Sequence, residues 1–264
     1  MKRRTFIAAS LAGVGMVGYS ALTLSQVVNL NDAINKGGRQ RMLSQRMAKS
    51  YLALGLGISP SEADKTLAAS MALFDRQLAE LKAFAPSPDI KATYQQLEFK
   101  WSDFKAALVG EKPNQQGAAN VLGLSNAVLS LANQGTVQLE KVSNKPVGKL
   151  VNIAGRQRML SQRMASHYLA ASWNVQAQSA KIEMLKARDE FLTAHDILVK
   201  APENTERIAQ ELVLAEQQFV FFQAALQNLH IGSAEKRPML EVFQTSERIL
   251  QAMDDITNLY SRIS

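Results

Sequence analysis

The chain has 264 residues, of which 47% are hydrophobic and 20% charged; its formal net charge is +7 and it contains no cysteine. This composition excludes a disordered chain, and the lack of cysteine excludes disulfides, thiol catalysis and cysteine-based metal sites. The positive charge does not form a basic stripe interleaved with aromatic residues, so we expect no nucleic acid partner.

The first 26 residues have the parts of an export signal. A basic start, Lys2–Arg4, precedes an uncharged stretch that continues to Gln26 and is rich in Ala, Gly, Val and Leu. The Arg3-Arg4 pair followed by Thr5–Ile7 resembles a twin-arginine signal. Cleavage is favoured over an uncleaved N-terminal anchor, because glycines and polar residues make the segment a poor membrane span. In both cases we expect the remainder of the chain to be periplasmic.

The rest of the chain consists of two copies of one unit, residues 27–144 and 145–264. The sequence GRQRMLSQRMA occurs at Gly38–Ala48 and again at Gly155–Ala165. At the same spacing, Tyr51–Ala53 matches Tyr168–Ala170. An internal repeat of this length indicates that one structural unit is present twice.

Each copy has the pattern of four amphipathic helices, with breaks at proline, glycine and serine residues. The predicted helices cover 27–57, 61–84, 89–109 and 115–143 in the first copy, and 147–174, 177–200, 203–230 and 234–262 in the second. No segment alternates with the period of a strand, so we expect no sheet. Short connections favour antiparallel packing. The predicted fold class is all-α, with two tandem antiparallel up-down-up-down four-helix bundles preceded by the N-terminal signal segment.

The repeated sequence places arginine on a helix face that has apolar ends. In the first copy, this face carries Leu30, Ile34, Gly38, Arg41, Gln45, Ala48 and Leu52. A face with apolar ends packs against another helix, where an arginine is costly unless its charge is matched. No acidic residue lies within the motif or within two turns after it. The pattern predicts a partly buried, unpaired cation that suits an oxyanion.

The alternative interpretation is that these arginines are ordinary surface residues. Arg39 and Arg46 fit a solvated position, or Arg46 pairs with an acid on another helix, such as Glu80 or Asp103. Against this, eleven consecutive residues are identical while the copies differ almost everywhere else. Apolar packing tolerates exchange among similar residues and does not require three identical polar side chains. Those side chains are Gln40, Ser44 and Gln45.

These residues resemble a known family. The segment Ile34–Arg46 resembles the signature helix of the NarX-like and PilJ-like N-terminal sensory domain, and Val151–Arg163 resembles it again. That domain lies outside the membrane in nitrate/nitrite sensor kinases and type IV pilus chemotaxis transducers. The resemblance implies an antiparallel four-helix bundle for each copy. It also implies a signalling partner of the sensor kinase or chemotaxis transducer kind.

The resemblance implies a site as well. In the nitrate-sensing members, an arginine of this helix binds the anion where two domains meet, and backbone near the preceding glycine helps. A second arginine supports the site. The ligand-binding residues implied for this chain are Arg41, Arg158, Gly38, Gly155, Arg46 and Arg163.

One departure concerns the ligand. The nitrate-sensing form has a small residue where this chain has Arg39 and Arg156, which brings the chain closer to the pilus-transducer group. We expect Arg41 and Arg158 to face each other across one small oxyanion, such as nitrate or nitrite, with the first helices of the two copies parallel. The alternative is a ligand-free helical interaction module that docks its arginine helices to a signalling or pilus-associated partner.

An enzyme is not expected. The histidines, His167, His195 and His230, are scattered, and no metal-ligand spacing, catalytic triad or phosphate loop is present. We therefore expect no cofactor and no metal. His167 is predicted to lie on a helix surface, and Asp254-Asp255 on a solvated face.

Overall fold

The computed structural model describes residues 26–263, which form eight helices and no strand. This confirms the all-α prediction. The helices are α1 (Leu30–Leu56), α2 (Pro60–Phe84), α3 (Pro88–Gly110), α4 (Gln115–Ser143), α5 (Pro146–Ser172), α6 (Ala177–Val199), α7 (Glu206–Gln227) and α8 (Lys236–Ser261). The predicted signal segment lies outside the described residues, apart from Gln26.

Side-chain caps and prolines set many of the helix starts. The side chain of Asn29 accepts a hydrogen bond from the backbone N–H of Asp32 at 2.9 Å, which fixes the start of α1. Proline occupies the first turn of α2, α3 and α5, where its missing N–H costs nothing. Helix α7 is shorter than the predicted 203–230, because Thr205 caps it by accepting from the N–H of Ile208.

The two halves of the chain have the same arrangement. In each half the first helix packs against the second and the fourth, and the third packs against the fourth. The most extensive contact in the described chain joins α1 to α5. These two helices run in parallel, since Gly38 lies beside Gly155 near their starts and Gly55 lies beside Trp173 at their ends.

Helices α1 and α5 form the centre of the molecule. Helix α1 contacts α2, α4, α5 and, less extensively, α8, while α5 contacts α6, α8, α1 and, less extensively, α4. Residues on nearly every side of these two helices are therefore buried, including charged ones such as Lys49. The single buried face expected from the sequence underestimates how completely both helices are covered. Between residues 26 and 263, no helix combines the length and hydropathy needed to cross a bilayer.

Candidate functional site

The polar side chains of the repeated motif make equivalent hydrogen bonds in the two halves. The amide of Gln40 donates to the carbonyl of Phe74 at 3.3 Å, and that of Gln157 to the carbonyl of Phe191 at 2.9 Å. The other equivalent pairs are Gln45 to Ser125, Gln162 to Ser246, Ser44 to Arg41 and Ser161 to Arg158. Hydrogen bonding inside the bundle thus accounts for the identity of these residues, which the sequence argument had connected with ligand binding.

The two motif arginines cross the interface between α1 and α5. Both side chains are fully buried. Nη2 of Arg41 donates to the carbonyl of Asn152 at 3.1 Å, and Nη2 of Arg158 donates to the carbonyl of Asn35 at 3.1 Å. The contacts are therefore related by a pseudo-twofold axis between the two helices.

Two glycines leave room for the guanidinium groups. A Cβ built on Gly38 would lie 3.2 Å from Nη2 of Arg41 and 3.3 Å from Nη2 of Arg158. A Cβ on Gly155 would lie 3.1 Å from Nη2 of Arg158 and 3.6 Å from Nη2 of Arg41. The structure therefore brings four of the six predicted ligand-binding residues together, namely Arg41, Arg158, Gly38 and Gly155. We call the side chains of Arg41 and Arg158 the guanidinium pair.

The hydrogen-bond partner of Nη1 differs between the two arginines. Nη1 of Arg41 donates to Oδ1 of Asn133 in α4 at 2.9 Å. Nη1 of Arg158 donates to the carboxylate of Asp254 in α8. The prediction of an unpaired cation is therefore wrong for Arg158. Among residues 26–263, no carboxylate forms an ion pair with Arg41, and Nε of neither arginine has a hydrogen-bond partner.

Burial makes both charges costly. Desolvation, reinforced by repulsion from Arg156 and Arg158, lowers the pKa of Arg41 to about 9. Desolvation also lowers the pKa of Arg158 to about 10, against the opposing effect of Asp254. Both groups remain protonated near neutral pH. Arg41 holds its charge without the ion pair that normally accompanies a buried cation.

Both flanking arginines, Arg39 and Arg156, form ion pairs, although the side chain of Arg156 is 39% exposed. The alternative interpretation placed Arg39 in solvent, but its side chain is only 16% exposed. Arg39 donates to Asp254 at 2.9 Å from the opposite half. Arg156 forms an ion pair with Glu190, and its Nη1 lies 3.5 Å from Oδ1 of Asn133. The prediction of a solvated face at Asp254 is therefore wrong, because this carboxylate holds two arginines.

The second motif arginines lie apart from the guanidinium pair. Arg46 forms an ion pair with Glu247 in α8, and not with Glu80 or Asp103 as considered from the sequence. Glu247 also holds the fully buried Lys49, at 2.5 Å. In the second half, Arg163 pairs with Glu183 at 2.7 Å and donates to Asn126 at 2.7 Å. The structure does not bring Arg46 and Arg163 to the guanidinium pair; they tie α1 and α5 to neighbouring helices.

His167 is also placed differently from the prediction. Only 5% of the residue is exposed, because α5 is covered on several sides. Burial, helped by the charge of Arg163, lowers the pKa of His167 to about 4, so the ring is neutral at neutral pH. Within residues 26–263, no three His, Cys, Asp or Glu side chains are grouped to hold a metal ion.

Asn133 and Asp254 complete the contacts of the two motif arginines, but the sequence does not identify them as site residues. Both lie in the last helix of their half, far from the motif in sequence, and neither belongs to a recognisable pattern. Only the packing of the last helix of each half on the first places them beside the arginines. Together with the guanidinium pair they form a largely buried polar cluster, in which two arginine donors face one amide oxygen and one carboxylate.

The comparisons with known proteins match both copies. A family model described as "Type IV pili methyl-accepting chemotaxis transducer N-term" matches residues 22–127 and 142–230. Methyl-accepting chemotaxis protein McpN of Pseudomonas aeruginosa is 32% identical over 140 residues, covering 47% of this chain and 26% of that protein. The chain thus spans about a quarter of the length of this curated relative. No solved structure matches the chain.

Proposed function

The chain belongs to the family of type IV pilus methyl-accepting chemotaxis transducer N-terminal domains, and from this premise we propose that it is a periplasmic sensory module for a small oxyanion of the nitrate or nitrite class. The anion would bind at the guanidinium pair. In this proposal, residues 27–144 and 145–264 act as the two domains that together build one site. A membrane chemotaxis transducer or sensor kinase would receive the signal.

The observation that carries the proposal is that the guanidinium groups of Arg41 and Arg158 lie together beside Gly38 and Gly155. A buried cation without a counter-ion lowers stability, so an anion at this point would relieve a real cost. Guanidinium presents parallel N–H donors in one plane, which match the flat, forked arrangement of oxygens in nitrate and nitrite. Backbone at the two glycines can approach the anion closely, because neither residue has a Cβ.

Binding would require a small rearrangement. The two guanidinium groups are fully buried, and their Nη2 atoms donate to the carbonyl groups of Asn152 and Asn35. An anion would take over these donors and would release the two carbonyls, which lie on opposite helices. Anion binding would thus change the hydrogen bonds that join α1 to α5 beside the guanidinium pair.

The site is close to one end of the bundle. At that end, the amide of Asn31 donates to the carbonyl of Ile263 at 3.3 Å, and the amide of Asn35 donates to Asn258 at 2.8 Å. These bonds join the start of α1 to the end of α8. The carbonyl of Asn35 also accepts from Arg158. A change at the guanidinium pair would therefore reach the junction of α1 and α8, which we propose transmits the signal.

The alternative is a ligand-free interaction module, and one observation favours it. Helix α7 exposes four large apolar side chains at helical spacing, namely Val213, Leu214, Val220 and Phe221. Docking through the motif arginines is not open to this alternative, because Arg41 and Arg158 are fully buried. A partner would have to use outer helices such as α7.

Calorimetric titration of the full chain with nitrate and then nitrite tests the proposed function. Chloride and sulfate are the controls. We expect saturable binding of about one nitrate or nitrite per chain and a rise in melting temperature, because a ligand of the folded state stabilises it. The Arg41→Gln variant should keep its circular dichroism spectrum and lose binding. An absence of both heat and thermal stabilisation with these anions would refute anion sensing and leave the interaction module.

A further inference from the structure

The pseudo-twofold symmetry of the site is broken where the Nη1 atoms of the two motif arginines find their partners. Asn133 in α4 and Asp254 in α8 have equivalent places, since each accepts from Nη1 of a motif arginine and from the flanking arginine of the opposite half. One is a neutral amide and the other a carboxylate. At this position, beside Nη1 of the motif arginine, the two halves therefore differ by one negative charge.

The carboxylate compensates one side of the site. Asp254 forms ion pairs with Arg158 and Arg39, and its side chain is 27% exposed. Burial alone would raise the pKa of Asp254, but the two arginines outweigh it and lower the pKa to about 2. The carboxylate is consequently ionised at neutral pH, and Arg158 already has an anion beside it.

On the other side, the motif arginine has no ion pair of this kind. Asn133 offers Arg41 an uncharged oxygen, and Arg156 pairs with Glu190. The carboxylate of Glu140 lies nearby, but it accepts from the side-chain amide of Asn152 and forms no ion pair with Arg41. Arg41 is therefore the cation of the guanidinium pair that has no ion-paired carboxylate among the described residues.

We propose that Asp254 is the residue that sets the charge and number of the bound anion: as a built-in counter-ion of Arg158, it makes the site accept one monovalent anion, bound nearer to Arg41. This inference rests on the proposed function. A divalent oxyanion such as sulfate would be repelled by the carboxylate, and only one arginine of the guanidinium pair, Arg41, lacks an ion-paired carboxylate. A monovalent anion neutralises that guanidinium and leaves the ion pairs of Asp254 in place.

Single substitutions that give each of the two positions the residue type of the other test the inference. Four full-chain proteins are titrated calorimetrically with nitrate and with sulfate. They are the wild type, Asp254→Asn, Asn133→Asp and the control Asp255→Asn. Asp255 is the next residue in α8, is exposed, and accepts hydrogen bonds from Gln251. Its substitution removes the same charge from the same helix without touching the guanidinium pair.

The expected results differ between variants. Asp254→Asn should bind nitrate about tenfold more tightly, equivalent to about 1.4 kcal/mol, and should acquire measurable sulfate binding. Asn133→Asp should lose nitrate binding, because a carboxylate then occupies both sides. Asp255→Asn should behave as wild type.

Two outcomes separate the inference from the proposed function. If wild type binds nitrate and Asp254→Asn keeps the same affinity and selectivity, the role of Asp254 is refuted while anion sensing stands. If neither protein binds an anion, the proposed function fails and the inference with it. Should Asp254→Asn fail to fold, Asn133→Asp decides alone, because wild-type nitrate binding in that variant would overturn the inference.

Discussion

Gly38 of α1 and Gly155 of α5 face each other so closely that a Cβ built on Gly38 would lie 3.6 Å from the Cα of Gly155. Two helices that approach in this way leave little space, and the space that exists is filled by the ends of Arg41 and Arg158. The glycine pair thus controls where the two guanidinium groups can lie.

Substitution of Gly38 by alanine is expected to weaken both binding and stability. The added methyl group would displace both Nη2 atoms, so we expect nitrate affinity to fall about tenfold or more, or by about 1.4 kcal/mol. Stability should fall by about 1–2 kcal/mol despite the better helix propensity of alanine, because both guanidinium groups are buried and hydrogen-bonded. Calorimetry and thermal melting measure the two effects. The control is Gly123→Ala in α4, where an added Cβ meets open space. Unchanged nitrate affinity in Gly38→Ala would contradict the prediction.

The two motif arginines should differ in their contribution to stability. Arg41→Met removes a buried cation that has no ion-paired carboxylate, so we expect the free energy of unfolding to be unchanged or to rise by about 1–2 kcal/mol. Arg158→Met removes one of the two arginines that pair with Asp254, and we expect the free energy of unfolding to fall by about 2 kcal/mol. Urea denaturation of both variants measures the difference. A less stable Arg41→Met than Arg158→Met would show that the charge of Arg41 is compensated in the folded chain.

Glu247 should account for part of the acid sensitivity of the fold. Burial alone would raise its pKa, but Lys49 and Arg46 outweigh burial and lower the pKa from the ordinary 4.5 to about 2. Because the folded pKa lies below the unfolded one, the stabilisation is complete above about pH 4.5 and is lost as the pH falls toward 2.

Glu247→Gln is therefore expected to lower the free energy of unfolding by about 3 kcal/mol at pH 7, because it leaves the buried Lys49 without its carboxylate. The difference from wild type should shrink below pH 4.5. The control is Glu241→Gln on the same helix, which loses only an exposed pair with Arg237 and should change stability by about 0.5 kcal/mol or less. Denaturant unfolding at a series of pH values measures both. A difference that does not depend on pH would argue against the ion pair.

Gly55 should be intolerant of a side chain. A Cβ at this position would lie 2.0 Å from Cη2 of Trp173, the residue that follows α5. The indole ring is rigid and packs between the ends of the two parallel helices, so Gly55→Ala should destabilise the fold by about 1–3 kcal/mol. Gly123→Ala again gives the reference for a helical glycine in open space. Equal melting temperatures for the two variants would mean that Trp173 moves away at no cost.

Much of the fold could be predicted because local signals determine it. Prolines and capping side chains placed seven helices close to their observed bounds, and α7 differed most because Thr205 starts the helix later than the pattern indicated. The parallel direction of α1 and α5 followed from the alternation of four helices in each copy, and their contact agrees with what the family resemblance implied for the first helices.

The charges of the site could not be predicted in the same way. The partner of Arg46, Glu247, lies 201 residues along the chain, and the partner of Arg158 is likewise in the last helix. Sequence patterns show neighbours within a few turns of one helix, so these arginines looked unpaired. His167 was misplaced for a related reason, because burial by several other helices leaves no periodic signal on the helix itself.

The connection between α4 and α5 consists of Asn144 and Lys145. When two separate chains form a site, dilution takes it apart; when a short covalent link joins the halves, they meet at an effective concentration in the millimolar range. Occupancy of such a site depends on the anion and not on how much protein is present. Two identical chains also carry every substitution twice, whereas a chain that contains both halves can carry a substitution in one half alone. The difference between Asn133 and Asp254 is a change of that kind.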